Sequence, residues 1–358
     1  MSIFKRQARS MVGLDVGSCS VKLVHLLHRN GKCQLLSAVH ESYEPEPEGN
    51  GEARVNAIRK VFQRAGLKSG RGETIVTSVS GSGTAVKQVE FPLLTNEELA
   101  SSVRWQAGKR LPFGPDEAVL DYQVLSRDED SDKMNVLLVA VTRVHLGKHL
   151  ELLKRAGVDP MIIDLSPLAL ANAVMETQEL RKDKAVAMLD IGSSNTILDV
   201  FAPGEFFFTR DIAVTGRQLA GEAPRQKADS PGENTSTGGK TESGGQRADG
   251  QASESAGQIP NSTRVSLDRL IFEIRRSLTY YENRRGRGGF EKLFLAGGGI
   301  QVPHLCDHLH TRLGVAVEKF NPLGGIEADE HQDGLAETAP QLALAFGLAL
   351  RKVGKKHV

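Results

Sequence analysis

The chain has 358 residues, long enough for two domains and a large core. Its formal net charge of +1 lacks the basic excess that a nucleic-acid partner would demand. Aromatic residues make up 5%, too few for a surface that stacks bases or sugar rings.

Residues 1–6 carry no apolar stretch of the kind that directs secretion. Leu14-Asp15-Val16-Gly17-Ser18-Cys19-Ser20-Val21-Lys22-Leu23 then reads as a buried strand, a tight turn and a second strand. Strands over 21–27 and 33–40 flank Arg29-Asn30-Gly31-Lys32, whose Asn-Gly pair predicts a hairpin. Pro45 and Pro47 mark a loop over 44–51. Val55, Ile58 and Phe62 give helical spacing to 53–65, which Gly66 ends. A strand follows over 74–80, and Gly81-Ser82-Gly83 is a loop.

Residues 84–150 break this pattern. An exposed strand is expected over 84–91. Thr95-Asn96-Glu97-Glu98 is a capping box, with Thr95 as N-cap. Its helix carries Leu99, Val103 and Ala107 on one face to about Arg110, and Pro112 stops it. Strands over 119–125 and 135–142 enclose an acidic loop at 128–132. A helix over 146–156 ends at Gly157, and a strand over 160–165 and a helix over 167–175 lead into the second half.

That half opens on Leu189-Asp190-Ile191-Gly192-Ser193-Ser194-Asn195-Thr196-Ile197-Leu198. Leu, Asp, Gly, Ser and Leu recur there at the offsets they hold in the first stretch. Strands are predicted over 185–190, 196–201 and 206–211. Residues 222–258 contain no Val, Leu, Ile, Met or aromatic residue, a composition expected to stay a flexible polar loop. A helix from Ser262 carries Val265, Leu267, Leu270, Ile271, Ile274 and Leu278 to about Tyr281. A strand over 292–296 runs straight into Gly297-Gly298-Gly299. A helix over 302–313, a strand over 315–319 and a helix over 340–351 close the chain. Phe206-Phe207-Phe208 reads as core, with an interface as the alternative. Cys19, Cys33 and Cys306 are too widely spaced for a disulfide framework or a metal cluster, which fits a reducing cytoplasm. No apolar run approaches the length of a membrane span, so membrane contact is expected only through a partner or a weak surface contact.

The two Asp-x-Gly-Ser turns carry the chemistry. A glycine lets backbone approach a ligand closely, and the small hydroxyl residues after it offer N–H and O–H donors. Successive N–H groups in a turn form an anion nest. Two such turns face to face would grip a polyphosphate, with Asp15 and Asp190 at the strand ends to hold Mg²⁺ through water. A single copy would be an ordinary hairpin turn; the recurrence, one early in each half, favours a duplicated phosphate clamp.

With these turns, the strand running into three glycines and this element order, the chain resembles the actin-like ATP-binding superfamily of actin, sugar kinases, the seventy-kilodalton heat-shock chaperones and FtsA. The resemblance implies an α/β class: a duplicated actin-like, ribonuclease H-like fold with ATP and Mg²⁺ in its cleft. It assigns Asp15, Gly17, Ser18, Cys19, Ser20 and Lys22 to a first phosphate loop. Asp190, Gly192, Ser193, Ser194, Asn195 and Thr196 form the second, and Gly297, Gly298 and Gly299 the adenosine loop. Lys22 stands at the offset where actin carries a lysine; a solvated strand lysine is the alternative. Arg276 lies on the helix where chaperone relatives hold adenosine with a basic residue; a surface salt bridge is the alternative.

A narrower resemblance lies in the inserted region. Phe91-Pro92-Leu93, Arg104-Trp105-Gln106, Leu111-Pro112-Phe113 and Leu120-Asp121-Tyr122 are similar to the PilM family of cytoplasmic type IV pilus assembly proteins. So are Phe208-Thr209-Arg210-Asp211-Ile212 and Arg275-Arg276-Ser277-Leu278. That family usually has Gly-Gly where this chain has Thr215-Gly216, and its next helical subdomain gives way here to the polar run. The resemblance implies a first lobe over 11–83 and 151–175, an inserted FtsA/PilM-type 1C subdomain over 84–150, and a second lobe over 185–351 interrupted by a polar loop at 222–261. It implies a cytoplasmic protein, peripheral to the inner membrane through its partner, that binds the cytoplasmic N-terminal peptide of PilN; oligomers are permitted. Trp105 either packs the inserted helix or contacts the partner.

Hydrolysis needs a residue that places water in line with the γ-phosphate. The helix over 167–175 offers only Asn172 where actin carries Gln, so the expectation is an ATP-binding scaffold with slow hydrolysis at most. A sugar-kinase type of phosphotransferase would need an Asp beside a substrate hydroxyl, for which Asp164 is a candidate, although a solvated strand-end carboxylate is the favoured reading of it. A polymerising FtsA-like protein is the third class, although the tail 352–358 is too short and polar for a good membrane helix.

Overall fold

The computed structural model describes residues 9–45, 51–67, 72–203, 205–221, 261–285, 289–324, 326–328 and 335–351. The polar run 222–258, the first six residues and the tail 352–358 lie outside them. In chain order the first elements are β1 (Arg9–Val16), β2 (Ser20–Arg29), β3 (Lys32–Ser42), α1 (Glu52–Arg64), β4 (Thr74–Val79), β5 (Thr84–Pro92), α2 (Asn96–Arg110), β6 (Ala118–Asp128) and β7 (Lys133–Thr142). Then come α3 (Arg143–Ala156), β8 (Ile162–Leu165), α4 (Ser166–Thr177), β9 (Ala185–Ile191), β10 (Thr196–Ala202), β11 (Glu205–Ile212) and α5 (Gly216–Leu219). The last are α6 (Asn261–Arg285), β12 (Phe290–Ala296), α7 (Leu305–Leu313), β13 (Ala316–Lys319), β14 (Glu327–Ala328), α8 (Leu335–Thr338) and α9 (Ala343–Ala349).

The repeated sequence is a repeated topology. One sheet has the order β14-β3-β2-β1-β4-β8 and another β11-β10-β9-β12-β13. In both, an antiparallel meander (β1–β2–β3, β9–β10–β11) continues on the far side of its first strand into two parallel strands. Each Asp-x-Gly-Ser turn joins the first two strands of its meander. Asn30 and Gly31 both take positive φ, 53° and 82°, as a two-residue hairpin turn with the right twist requires. The β14 edge, which pairs with Gln34 and Leu35 of β3, is an element the sequence pattern does not announce.

The helices close the layers. Val55, Ile58 and Phe62 of α1 and Leu153 of α3 pack on Val12, Leu14 and Leu23 of the first sheet. Leu270 and Ile274 of α6 and Leu309 of α7 cover the outer face of the second. Between the sheets, Ala169, Leu170 and Val174 of α4 and Phe346 and Leu348 of α9 meet Val24 and Val76 from one side and Met188, Phe201 and Phe294 from the other. Each fully buried Leu or Phe there contributes about 1.5–3 kcal/mol. The approach is close: a Cβ on Gly13 would lie 1.9 Å from Ala345 O.

The interrupting region is a third sheet, β5-β7-β6, antiparallel throughout. Leu99 and Val103 of α2 cover Val89, Phe91, Val136 and Leu138. The capping box at its start is formed, with Thr95 N–H donating to Glu98 Oε2 at 2.9 Å. β5 is not an exposed strand: Ala85, Val86, Val89 and Phe91 are buried against β7 or the covering helix. The ends of the region meet, with Thr142 N–H donating to Gly83 O at 2.8 Å. Two helix boundaries differ from expectation. Val302 is extended, so α7 starts only at Leu305, and residues 339–342 form a 3-10 turn before α9. Among the described residues no helix is long and apolar enough to cross a membrane.

Candidate phosphate-binding cleft

A cavity of about 740 Å³ lies between the two large sheets, and both repeated turns line it. The turns close in the same way. Gly17 N–H donates to Ser20 O at 3.0 Å, and Gly192 N–H to Asn195 O at 2.9 Å. Ser18 Oγ and Ser193 Oγ share a hydrogen bond of 2.7 Å, so the two turns touch across the cleft. The glycines are spatial requirements: a Cβ would come within 2.9 Å of Ser20 O at Gly17 and within 2.7 Å of Asn195 O at Gly192.

The charges follow from register. Asp15 pairs with Lys22 across β1–β2, and their side chains meet at 3.0 Å. Burial alone would lower the lysine's pKa, but Asp15, and Asp190 more weakly, hold it above the ordinary value. In the second turn the residue opposite Asp190 is Ile197, so this carboxylate has no lysine of its own. Burial, then repulsion from Asp15, push its pKa up to about 6, with Lys22 opposing. Two carboxylates and one ammonium thus converge where the turns meet.

The third side of the cleft is the triple glycine after β12. Gly297 has φ 86°, and a Cβ there would lie 2.5 Å from Asp190 Oδ1 and from Ile191 O. Gly299 packs against Gly216, whose N–H donates to Gly192 O at 2.8 Å. The Thr215-Gly216 pair has a local reason. Thr215 caps α5 in a box with Gln218, while Gly216 has Gly299 Cα 2.9 Å from where its Cβ would stand.

Asp15, Gly17, Ser18, Cys19, Ser20, Lys22, Asp190, Gly192, Ser193, Ser194, Asn195, Gly297, Gly298 and Gly299 all line this cavity. Thr196 does not. It opens β10 with its side chain fully buried on the face opposite Ile197, and its hydroxyl has no partner among the described residues. Arg276 does not reach the cleft either; its guanidinium is largely exposed and sits 3.7 Å from Glu273, which also accepts from Arg210 at 2.6 Å. Asn172 and Asp164 are likewise outside the lining. Asp164 is buried beneath Arg351 at 3.4 Å and accepts from Leu165 N–H at 2.8 Å.

The cleft also holds residues the sequence reading passed over: His40, Arg54, His145, Lys148 and His149. Burial, then the charges of His145 and Arg54, lower the His149 pKa to about 4, so the ring is neutral. Thr77 Oγ1 gives its single proton to Leu14 O at 3.0 Å, so at 3.1 Å it accepts from His149 Nε2–H. His145, Lys148 and His149 at i, i+3 and i+4 share one face of α3, a spacing visible in the sequence.

Residues 13–240 and 256–353 match the family model described as type IV pilus assembly protein PilM. A solved structure titled PilM-PilN type IV pilus biogenesis complex is 24% identical with a TM-score of 0.75, over 96% of this chain and 99% of that one. The cell division protein FtsA of Bacillus subtilis (strain 168) is 24% identical over 58% of this chain, and the match spans about half of that relative, 52%. The ethanolamine utilization protein EutJ from Carboxydothermus hydrogenoformans, at 11% identity, aligns over 98% of this chain and 91% of its own with a TM-score of 0.48. The fold is of the actin-like ATPase class, and the chain belongs to the PilM family of type IV pilus assembly proteins.

Proposed function

We propose that this PilM-family chain is an ATP-binding scaffold of type IV pilus assembly that binds the cytoplasmic N-terminal peptide of PilN and so sits, in the cytoplasm, at the inner membrane. The observation that carries the nucleotide reading is the Ser18–Ser193 contact of 2.7 Å, which joins two anion nests over one cavity.

The residues present fit ATP and Mg²⁺. The glycines at 17, 192, 297 and 299 let backbone segments close up where a Cβ would strike the protein's own atoms, which brings the two turns and the triple glycine together around one cavity. Asp15 and Asp190 offer two carboxylates rather than a closed cage, and among the described residues no group of three or more His, Cys, Asp or Glu side chains is placed to hold a metal. That donor set suits Mg²⁺, which keeps much of its water shell. When bound, Mg²⁺ supplies positive charge that offsets repulsion between the carboxylates and the phosphates. Ser18, Cys19 and Ser20 with Ser193, Ser194 and Asn195 would orient the phosphates, Lys22 would lie beside them, and Gly297, Gly298 and Gly299 would admit the adenosine. Thr196 and Arg276 take no direct part in this reading. Hydrolysis is slow at most: Asn172 lies outside the cleft. The phosphotransferase alternative is not favoured, because Asp164 faces Arg351 rather than a substrate space.

Family membership supports the pilus role, and the similar solved structure is titled as a complex with PilN. The third sheet with α2, over 84–150, is the proposed inserted subdomain, and the peptide is proposed to lie between it and the first lobe. A melting experiment with ATP and Mg²⁺ tests the nucleotide reading, since a ligand that binds only the folded state raises its stability. Wild type is expected to shift upward and Asp190→Ala to shift less. No shift in wild type overturns ATP binding, and equal shifts remove Asp190 from the site. Calorimetric titration with the PilN peptide tests the partner; no binding by folded protein overturns it.

A further inference from the structure

We propose that Arg54, with Lys148, forms a second oxyanion subsite at the α1–α3 end of the cleft, one that takes a phosphate group. Arg54 is held by one nitrogen only. Its Nε–H donates to Tyr43 Oη at 2.7 Å, and Tyr43 passes its own proton to Gly17 O at 2.7 Å. The guanidinium is thereby fixed to the backbone of the first turn, while among the described residues its two terminal amines have no hydrogen bond or ion pair. An arginine fork oriented through Nε and open at both ends is the geometry that meets an oxyanion in two-point contact.

The surroundings are cationic. Lys148 lines the same wall and, among the described residues, has no ion pair. Among the described residues, the carboxylates in the lining of the main cavity are Asp15, paired to Lys22, and Asp190. A second cavity of about 570 Å³ shares Arg54, Lys148 and Leu152 with the first, so the subsite can be reached without crossing the phosphate turns. Glu151 and Arg155 line that outer space, and Arg155 is engaged by Glu52 at 2.7 Å. His149 adds a feature that selects among oxyanions. Its Nε2–H is committed to Thr77, and its Nδ1 is an acceptor with no partner among the described residues. Near neutral pH inorganic phosphate carries a P–OH proton to give such an acceptor, and sulfate carries none.

The phosphate could be free or could be the terminal group of a nucleotide. Equilibrium dialysis of labelled inorganic phosphate against the full chain, with ADP, a non-hydrolysable ATP analogue or no nucleotide, separates these sources. Wild type is expected to bind phosphate in the millimolar range and in preference to sulfate. Arg54→Gln should weaken binding about tenfold or more, the usual effect of losing a charge-assisted contact. Tyr43→Phe keeps the charge but removes its anchor, and should weaken binding less. Displacement by the ATP analogue but not by ADP identifies the terminal phosphate; retention with both identifies free phosphate. Equal binding by wild type and Arg54→Gln, or no binding by wild type up to about 20 mM, overturns the subsite. The nucleotide reading fails separately: an Arg54→Gln protein that loses phosphate but still binds ADP leaves that reading standing.

Discussion

A Cβ on Gly297 would stand 2.5 Å from Oδ1 of Asp190, so the glycine after β12 sets how closely the triple-glycine side of the cleft approaches the second turn's carboxylate. Its φ of 86° and ψ of 174° belong to a region that essentially only glycine occupies. Gly297→Ala should therefore cost on the order of 1–3 kcal/mol of backbone strain and push Asp190 out of place. The expected outcome is a lower melting point together with about tenfold weaker ATP binding. A variant that melts and binds as wild type does would show that the backbone at 297 does not position Asp190.

Gly347 has a mechanical role. A Cβ there would lie 2.0 Å from Ala169 O and 3.3 Å from Ala173 Cβ, so α9 and α4 are in backbone contact between the two sheets. Gly347→Ala would usually stabilise a helix through propensity, by up to about 1 kcal/mol. Here overpacking costs about 1–3 kcal/mol and should win, since the neighbouring atom is backbone and cannot rotate away. Thermal unfolding should show a melting point lower by a few degrees. A higher melting point would mean that α9 stands further from α4.

Asp199 predicts a pH dependence. It is fully buried in β10, and among the described residues neither carboxylate oxygen makes a hydrogen bond of normal geometry, although Thr209 stands opposite it on β11. Burial, with repulsion from Asp190 and Asp211, holds its pKa well above the ordinary value of 3.8, against the opposing effect of the Thr209 hydroxyl. The native state therefore keeps a proton that the unfolded chain releases above about pH 4. Its stability contribution is complete below that pH and is lost as pH rises toward the native pKa. Asp199→Asn removes this titration. Against wild type it should be more stable at pH 8, by on the order of 1 kcal/mol, and the gap should close toward pH 4. Denaturant melts giving parallel curves for the two proteins across that range would contradict this.

What the sequence disclosed, and what it did not, has a physical pattern. The cleft was legible at Asp15, Gly17, Asp190 and Gly192 because a tight turn states its chemistry within four residues, and a second copy repeats it. Arg276 shows the cost of reading an element without its rotation. Ile274 and Leu278 are buried on α6, and a residue two positions from each points about 200° away, to the outside. Thr196 fails similarly, because it stands one residue before cleft-lining Ile197 and strand side chains alternate. Tyr43, Arg54 and His149 come from three distant segments, and only packing α1 and α3 on the first sheet brings them together. The interior role of α9 was hidden for another reason: its near-total apolarity leaves no face to distinguish.

The partner site can be narrowed by the two sides of α2. Val103 is buried against the third sheet with Leu99 and Ala107, so a charge placed there would test folding and not recognition. Trp105 is different. It is 61% exposed, and the Lys109 ammonium lies 3.4 Å above its ring. A large exposed aromatic with a cation already seated on it has little to lose on truncation except contact with something outside the chain, and Trp and Arg are the residues that most often dominate binding energy. Arg104, one residue before it, is paired with Asp116 on the same side. If the PilN peptide engages the outer face of α2, Trp105→Ala should weaken its binding about tenfold or more while the melting point stays within a degree or two of wild type. Calorimetric titration with the peptide reads the first quantity and thermal unfolding the second. Unchanged affinity would exclude this face and leave the peptide at the junction of the third sheet with the first lobe, where it is proposed to lie. Loss of both affinity and stability would show that Trp105 holds the inserted helix in place and is no contact for the partner.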